Sequence, residues 1–128
     1  MLIRSIALIG IIAGFAIPEA ASACSKWDLG SEFMISQQNG ATVTINRIIR
    51  DGGKFEANAK SSGVRGDADG SIGSDGRFTF NIDWDNGSIG VYTAFVNADG
   101  EVLDGRTFDQ THPESWSTWT TENLACAE

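Results

Sequence analysis

The chain is poor in histidine, cysteine and positive charge. One His and two Cys in 128 residues exclude a zinc site built on four Cys or His ligands. No Cys-x-x-Cys is present, so a thiol redox motif is absent. Nine Lys+Arg stand against 17 Asp+Glu, a net charge of −8 at pH 7. That balance opposes binding to a nucleic-acid backbone or to an anionic membrane surface, since both need clustered cations. No Gly-x-Ser-x-Gly, His-Glu-x-x-His or phosphate-cradling glycine loop occurs. The length allows one domain. A hydrophobic fraction of 41% is enough to bury a core and excludes disorder by composition.

The single long apolar run lies at the start. Arg4 supplies a positive flank, and Ile6 to Ile17 is rich in Ile, Ala and Leu. Pro18-Glu19 ends the run, and Ala21-Ser22-Ala23 places small residues at a cleavage site. This pattern predicts a secretory signal peptide over 1–23 and a single mature domain over 24–128. Removing Arg4 and Glu19 with the leader leaves 8 basic and 16 acidic residues, so the mature domain keeps its −8. The expected location is secreted or periplasmic, with no membrane insertion after cleavage.

Cleavage would leave Cys24 at the new N-terminus, with Cys126 near the other end. A Cys24–Cys126 disulfide in an oxidising compartment is one expectation. Lipid anchoring through Cys24 is the alternative. A bacterial lipoprotein usually carries Leu three residues before that cysteine, where this chain has Ala21.

Turn signals punctuate the mature chain. Asn39-Gly40, Asp51-Gly52, Asp69-Gly70, Asp75-Gly76, Asn86-Gly87, Asp99-Gly100 and Asp104-Gly105 are hairpin dipeptides. Between them the pattern alternates with period two. Phe33 and Ile35 share a face, as do Val43 and Ile45. Phe55, Ala57 and Ala59 share another, and so do Phe78, Phe80, Ile82 and Trp84. The alternation predicts strands at 31–38, 41–50, 53–60, 64–72, 76–84, 89–97, 101–109 and 115–122. The fold expected is all-β: an antiparallel up-and-down barrel of about eight strands, with a β-sandwich as the alternative. Closure would bring the first and last strands together, where a bridge between the chain ends is easy to make.

Several residues invite a chemical reading. Asp83 and Asp85 fall two apart on one strand, but without a pocket a carboxylate pair is a solvated strand end. His112 precedes Pro113 in an expected loop, with no nucleophile in a recognisable setting. Asp67, Asp69 and Asp75, and separately Asn97, Asp99, Glu101 and Asp104, look like pieces of calcium loops. Neither run has EF-hand spacing, and Asp-Gly is also the language of hairpins. No catalytic residue, metal ligand or cofactor is expected, and the chain reads as a non-enzyme.

The aromatics are more telling. Trp116 and Trp119 differ by three, so in a regular strand one points inward and the other outward. Core packing, with a Trp plugging the barrel bottom, is one account of the four tryptophans. The other is that some rings line a ligand cavity at a barrel mouth.

Trp27-Asp28-Leu29-Gly30-Ser31-Glu32-Phe33 is similar to the first strand of avidins and streptavidins. Phe78-Thr79-Phe80-Asn81-Ile82-Asp83-Trp84-Asp85-Asn86 resembles that family's alternating run ending in Trp-x-Asn. Glu114-Ser115-Trp116-Ser117-Thr118 resembles the segment whose Trp a neighbouring subunit inserts over the ligand. Tyr92 stands where avidins carry a Trp, and Phe108 where they carry another aromatic. The resemblance to this family, or in architecture to lipocalins, implies a ligand-binding barrel. It implies Ser31 near the ligand's polar head and Trp84, Tyr92, Phe108 and Trp116 near the cavity wall.

The expectation is therefore a secreted binding protein holding a small apolar or amphipathic ligand in a barrel cavity. The alternatives are an exported protein-interaction module, such as an inhibitor or adhesin, and carbohydrate binding on an exposed ring such as Trp119. Contact through the loops around Asp85-Asn86 and His112-Pro113 would serve the interaction module. A partner is thus a small molecule or an extracytoplasmic protein, and the sequence leaves the oligomeric state open.

Overall fold

Period-two alternation becomes eight strands that close on themselves. The computed structural model describes residues 24–128, and the expected leader over 1–23 lies outside the described residues. The strands are β1 (Trp27–Asp28), β2 (Glu32–Gln37), β3 (Thr42–Asp51), β4 (Lys54–Ser61), β5 (Val64–Ile72), β6 (Arg77–Trp84), β7 (Ile89–Val96), β8 (Val102–Asp109), β9 (His112–Thr120) and β10 (Ala125–Cys126). Strands β2 to β9 form a closed antiparallel barrel in chain order, which settles barrel against sandwich. The closing seam is short: β2 meets β9 only at Ser36↔Thr120 and Gln37↔Trp119.

The two-residue strands β1 and β10 pair outside the barrel, Trp27 opposite Cys126. Sequence pattern does not reveal them, because two residues carry no period. Here Cys24 and Cys126 form a disulfide across 102 residues, with Cα atoms 5.9 Å apart. The bridge uses the Cys24 sulfur that the lipid-anchor alternative would require. Such a bond is compatible with an oxidising compartment. Trp27, Leu29 and Leu124 are buried beneath this clasp. Arg50 holds it from the barrel side, its Nη1 donating to the Trp27 carbonyl at 2.6 Å.

Two bulges re-aim side chains. Between Asn46 and Ile49 the β3–β4 register slips by one residue, and Arg47 adopts φ +54°. Ile49 would face inward in an unbroken alternation with Val43 and Ile45. The extra residue turns it outward, 70% exposed. A second slip, between Thr93 and Phe95 on β7, leaves Asp104 of β8 as the extra residue at φ +56°.

The barrel interior is filled. Phe80 stacks on Tyr92 at 4.8 Å, with ring planes 3° apart. Phe78, Phe80 and Tyr92 each meet Trp119 edge-on at 5.8–6.0 Å. Phe33 and Phe55 close the cluster at 6.0–6.2 Å. Edge-to-face and offset contacts of this kind add to the area buried. Room for these rings comes from glycine opposite them: a Cβ at Gly70 would lie 2.3 Å from the Phe80 Cβ, and one at Gly105 would lie 2.2 Å from the Trp119 carbonyl oxygen.

Candidate functional site

The β1–β10 clasp packs at one barrel end, and four hairpins frame a mouth at the other. At the disulfide end lie Ser31, the β3–β4, β5–β6 and β7–β8 turns, and the β1–β10 clasp. At the mouth lie the β2–β3, β4–β5, β6–β7 and β8–β9 hairpins. Antiparallel order therefore places the end of β2 (Gln37), the end of β6 (Trp84) and the start of β9 at one rim.

The floor of the mouth is Tyr92. It is buried on β7, and its hydroxyl donates to the Gln37 Oε1 at 2.8 Å. Burial raises the Tyr92 pKa above its ordinary value of 10.0, and a hydrogen bond with Thr107 opposes the rise. The floor is thus a neutral hydroxyl tied to an amide.

Two recesses share Gln37 and Asn39 above this floor. One, of about 480 Å³, is bordered by Trp84, Asn86, Ser88 and Ser61. The other, of about 490 Å³, is bordered by Thr107, Asp109, Ser115, Trp116 and Ser117. Asp109 is the one charged side chain among the described residues lining either. The Thr111 backbone N–H and then its hydroxyl, both at 2.9 Å, hold the Asp109 carboxyl below its usual range. Hydroxyl and amide groups, with the Asp109 carboxylate at one edge, surround the Trp84 and Trp116 indoles in a hydrogen-bonding cup with apolar walls.

The structure brings some sequence-predicted residues together and separates others. Trp84 and Tyr92 meet at the mouth recess. Trp84 shares the inward face of Phe78 and Phe80, yet it ends β6 at the rim and is only half-buried. Phe108 and Trp116 pair across β8 and β9 and border the second recess. Trp116 is half-exposed, and the Arg106 guanidinium carbon lies 4.3 Å from its ring centre. Ser31 is exposed just before β2, at the clasp end, away from the other four. Gln37 and Asn39, which link both recesses, carry no motif in the sequence. Gln37 ends a strand and Asn39 reads as a turn residue, so only the closed topology makes them site residues.

Other expectations change. Trp119, named as an exposed sugar platform, is the inward member of its pair, 2% exposed. Its Nε1 donates to the Arg106 carbonyl at 2.9 Å. His112 opens β9 instead of sitting in a loop: it pairs with Asp109, and Pro113–Ser115 bulge out before Trp116 meets Phe108. Asn97 Oδ1 accepts from the Asp99 and Glu101 amides at 2.9 and 3.0 Å, so that acidic run closes its own turn. No family model, curated protein or solved structure matches the chain.

Proposed function

We propose that the chain is a non-enzymatic, secreted or periplasmic binding protein that takes a small uncharged amphipathic ligand across the barrel mouth. The observation that carries this reading is the pair of recesses joined at Gln37 and Asn39, lined by amides, hydroxyls and the Trp84 and Trp116 indoles, with the Asp109 carboxylate as their one charge. The deep-cavity version gives way to a mouth version, because the aromatic cluster already occupies the interior. A ligand with hydroxyls on its edge and an apolar face fits that chemistry. The edge meets Gln37, Asn39 and Asn86, and the face packs on Trp84. A neutral sugar is the simplest such ligand, which moves the carbohydrate expectation from Trp119 to the rim. The disulfide and the expected leader support export.

The test is an NMR titration with a panel of neutral mono- and disaccharides, following the indole N–H of each tryptophan. The reading expects shifts at Trp84 and at the Gln37 and Asn39 side-chain amides. No shift with any sugar removes the sugar assignment, and shifts confined to another surface remove the mouth as the site.

A further inference from the structure

Hairpins at both barrel ends turn on a glycine in the left-handed region, but the residue before it differs. At the clasp end it is Asp51, Asp75 or Asp99, and at the mouth it is Asn39 or Asn86. Either residue type closes the turn. Asp75 Oδ1 accepts from the Arg77 N–H at 3.0 Å, and Asn39 and Asn86 Oδ1 accept from the Ala41 and Ser88 N–H groups, each at 3.1 Å. The turns therefore do not demand amides at the mouth. What an amide adds is a donor. With Oδ1 spent on the turn, Nδ2 of Asn39 and of Asn86 makes no hydrogen bond among the described residues. Gln37 braces the first of these: its Oε1 accepts from Tyr92, and its Nε2 donates to Asn39 Oδ1 at 3.3 Å. Asp109 is the converse case. Its Oδ1 accepts both the amide and the hydroxyl of Thr111, which leaves Oδ2 as an acceptor.

We propose that the two recesses are consecutive subsites for a linear neutral oligosaccharide of at least two units, laid across the β2–β3 turn with the Asn39 amide at the join. This inference rests on ligand binding at the mouth. Around the rim the β2–β3 turn stands between the β4–β5 and β8–β9 hairpins, and Asn39 borders both recesses. Each recess, at about 480 and 490 Å³, is within the size range of a small-molecule site, roughly 300–1,000 Å³. Each also has its own indole, Trp84 in one and Trp116 in the other. Arg106 covers one side of Trp116 at 4.3 Å and does not border the recess, so it braces the ring without filling the subsite. The polar groups give the pair a direction. The Trp84 subsite offers the Asn86 donor to ligand oxygens, whereas the Trp116 subsite offers the Asp109 acceptor to ligand hydroxyls. A single sugar unit meets one indole and one of these groups, and a second unit across Asn39 meets the other set.

The experiment is an NMR titration of protein recovered from expression of the full chain with cello-, malto-, manno- and chito-oligosaccharides of one to four units. The Trp84 and Trp116 indole N–H signals are followed separately. In the series that binds, the dissociation constant is expected to fall roughly tenfold or more from one unit to two, with both indoles shifting only from two units on. Trp116→Ala and Asp109→Asn are expected to flatten that dependence on length, and Trp84→Ala to weaken binding at every length. Asn39→Asp keeps the Oδ1 that the turn uses, as the clasp-end hairpins do, so its unfolding midpoint is expected to stay near that of wild type. It loses the donor at the join, and its affinity for two units is expected to fall by roughly tenfold. One unit binding as tightly as two, with shifts at Trp84 alone, would overturn the paired subsites and leave binding at the mouth standing. Length dependence that survives in Trp116→Ala, or a folded Asn39→Asp that binds two units like wild type, would also overturn them. No shift at the mouth with any series would remove the sugar reading and this inference together.

Discussion

The Tyr92 hydroxyl donates to the Gln37 side-chain carbonyl at 2.8 Å across 55 positions of sequence. This bond ties β7 to the end of β2 beside the two-pair seam, and it sets the floor of the mouth. Tyr92→Phe keeps the Phe80 stack and removes the donor. The expected loss is about 0.5–1.5 kcal/mol, read by urea unfolding.

The same tyrosine gives a pH prediction. Its folded pKa is raised by burial, so the unfolded state ionises first. The stability it contributes is complete below the ordinary value of 10.0 and is lost as pH rises toward the folded value. Tyr92 is the chain's only tyrosine, so tyrosinate absorbance reports it alone. Unfolding curves are expected to weaken above about pH 10 in wild type, and less in Tyr92→Phe. An ordinary tyrosine titration in the folded protein would contradict the buried floor.

The two neighbouring tryptophans should separate cleanly. Trp119→Ala empties the centre of the cluster and is expected to cost about 3–5 kcal/mol. Trp116→Ala removes a half-exposed ring and its stack with Arg106, for under about 1 kcal/mol in dilute protein. Chemical denaturation of both variants distinguishes the roles, and equal losses would mean that the assignment of inner and outer faces is wrong.

Gly70 should tolerate no side chain. A Cβ there would lie 2.2 Å from the Thr79 carbonyl oxygen and 2.3 Å from the Phe80 Cβ. These neighbours belong to the adjacent strand, so Gly70→Ala is expected to cost about 1–3 kcal/mol by forcing β5 and β6 apart. Thermal unfolding checks it.

The Cys24–Cys126 bridge closes almost the whole described chain, a separation of 102 residues. Restricting the unfolded chain over that length stabilises by about 3–5 kcal/mol. Unfolding with and without reductant measures the difference, and an unchanged midpoint would contradict the account of the clasp.

The strands were legible because each carries an inward row, such as Phe78-x-Phe80-x-Ile82, between hairpin dipeptides. Predicted bounds of 64–72 and 76–84 compare with Val64–Ile72 and Arg77–Trp84. The outward turn of Ile49 was not legible, since a single extra residue at a bulge leaves no mark on periodicity. Which of Trp116 and Trp119 faces inward depends on the register with β8, where Gly105 makes room for Trp119. Gln37 and Asn39 escaped notice because their role comes from closure, which sets β2 and β9 on either side of one recess. The filled interior was hidden for a related reason: inward rows show which rings point in, but not that they meet at 4.8–6.2 Å.

The most direct measurement is native mass spectrometry of wild type and Trp84→Ala, each recovered from expression of the full chain in its own host. Trp84 lies at the rim and is only half-buried, so the variant is expected to fold. A small non-covalent mass on wild type, lost on denaturation and absent from Trp84→Ala, is the predicted result. A wild type that carries nothing, or a variant that retains the same mass, would contradict ligand binding at the barrel mouth.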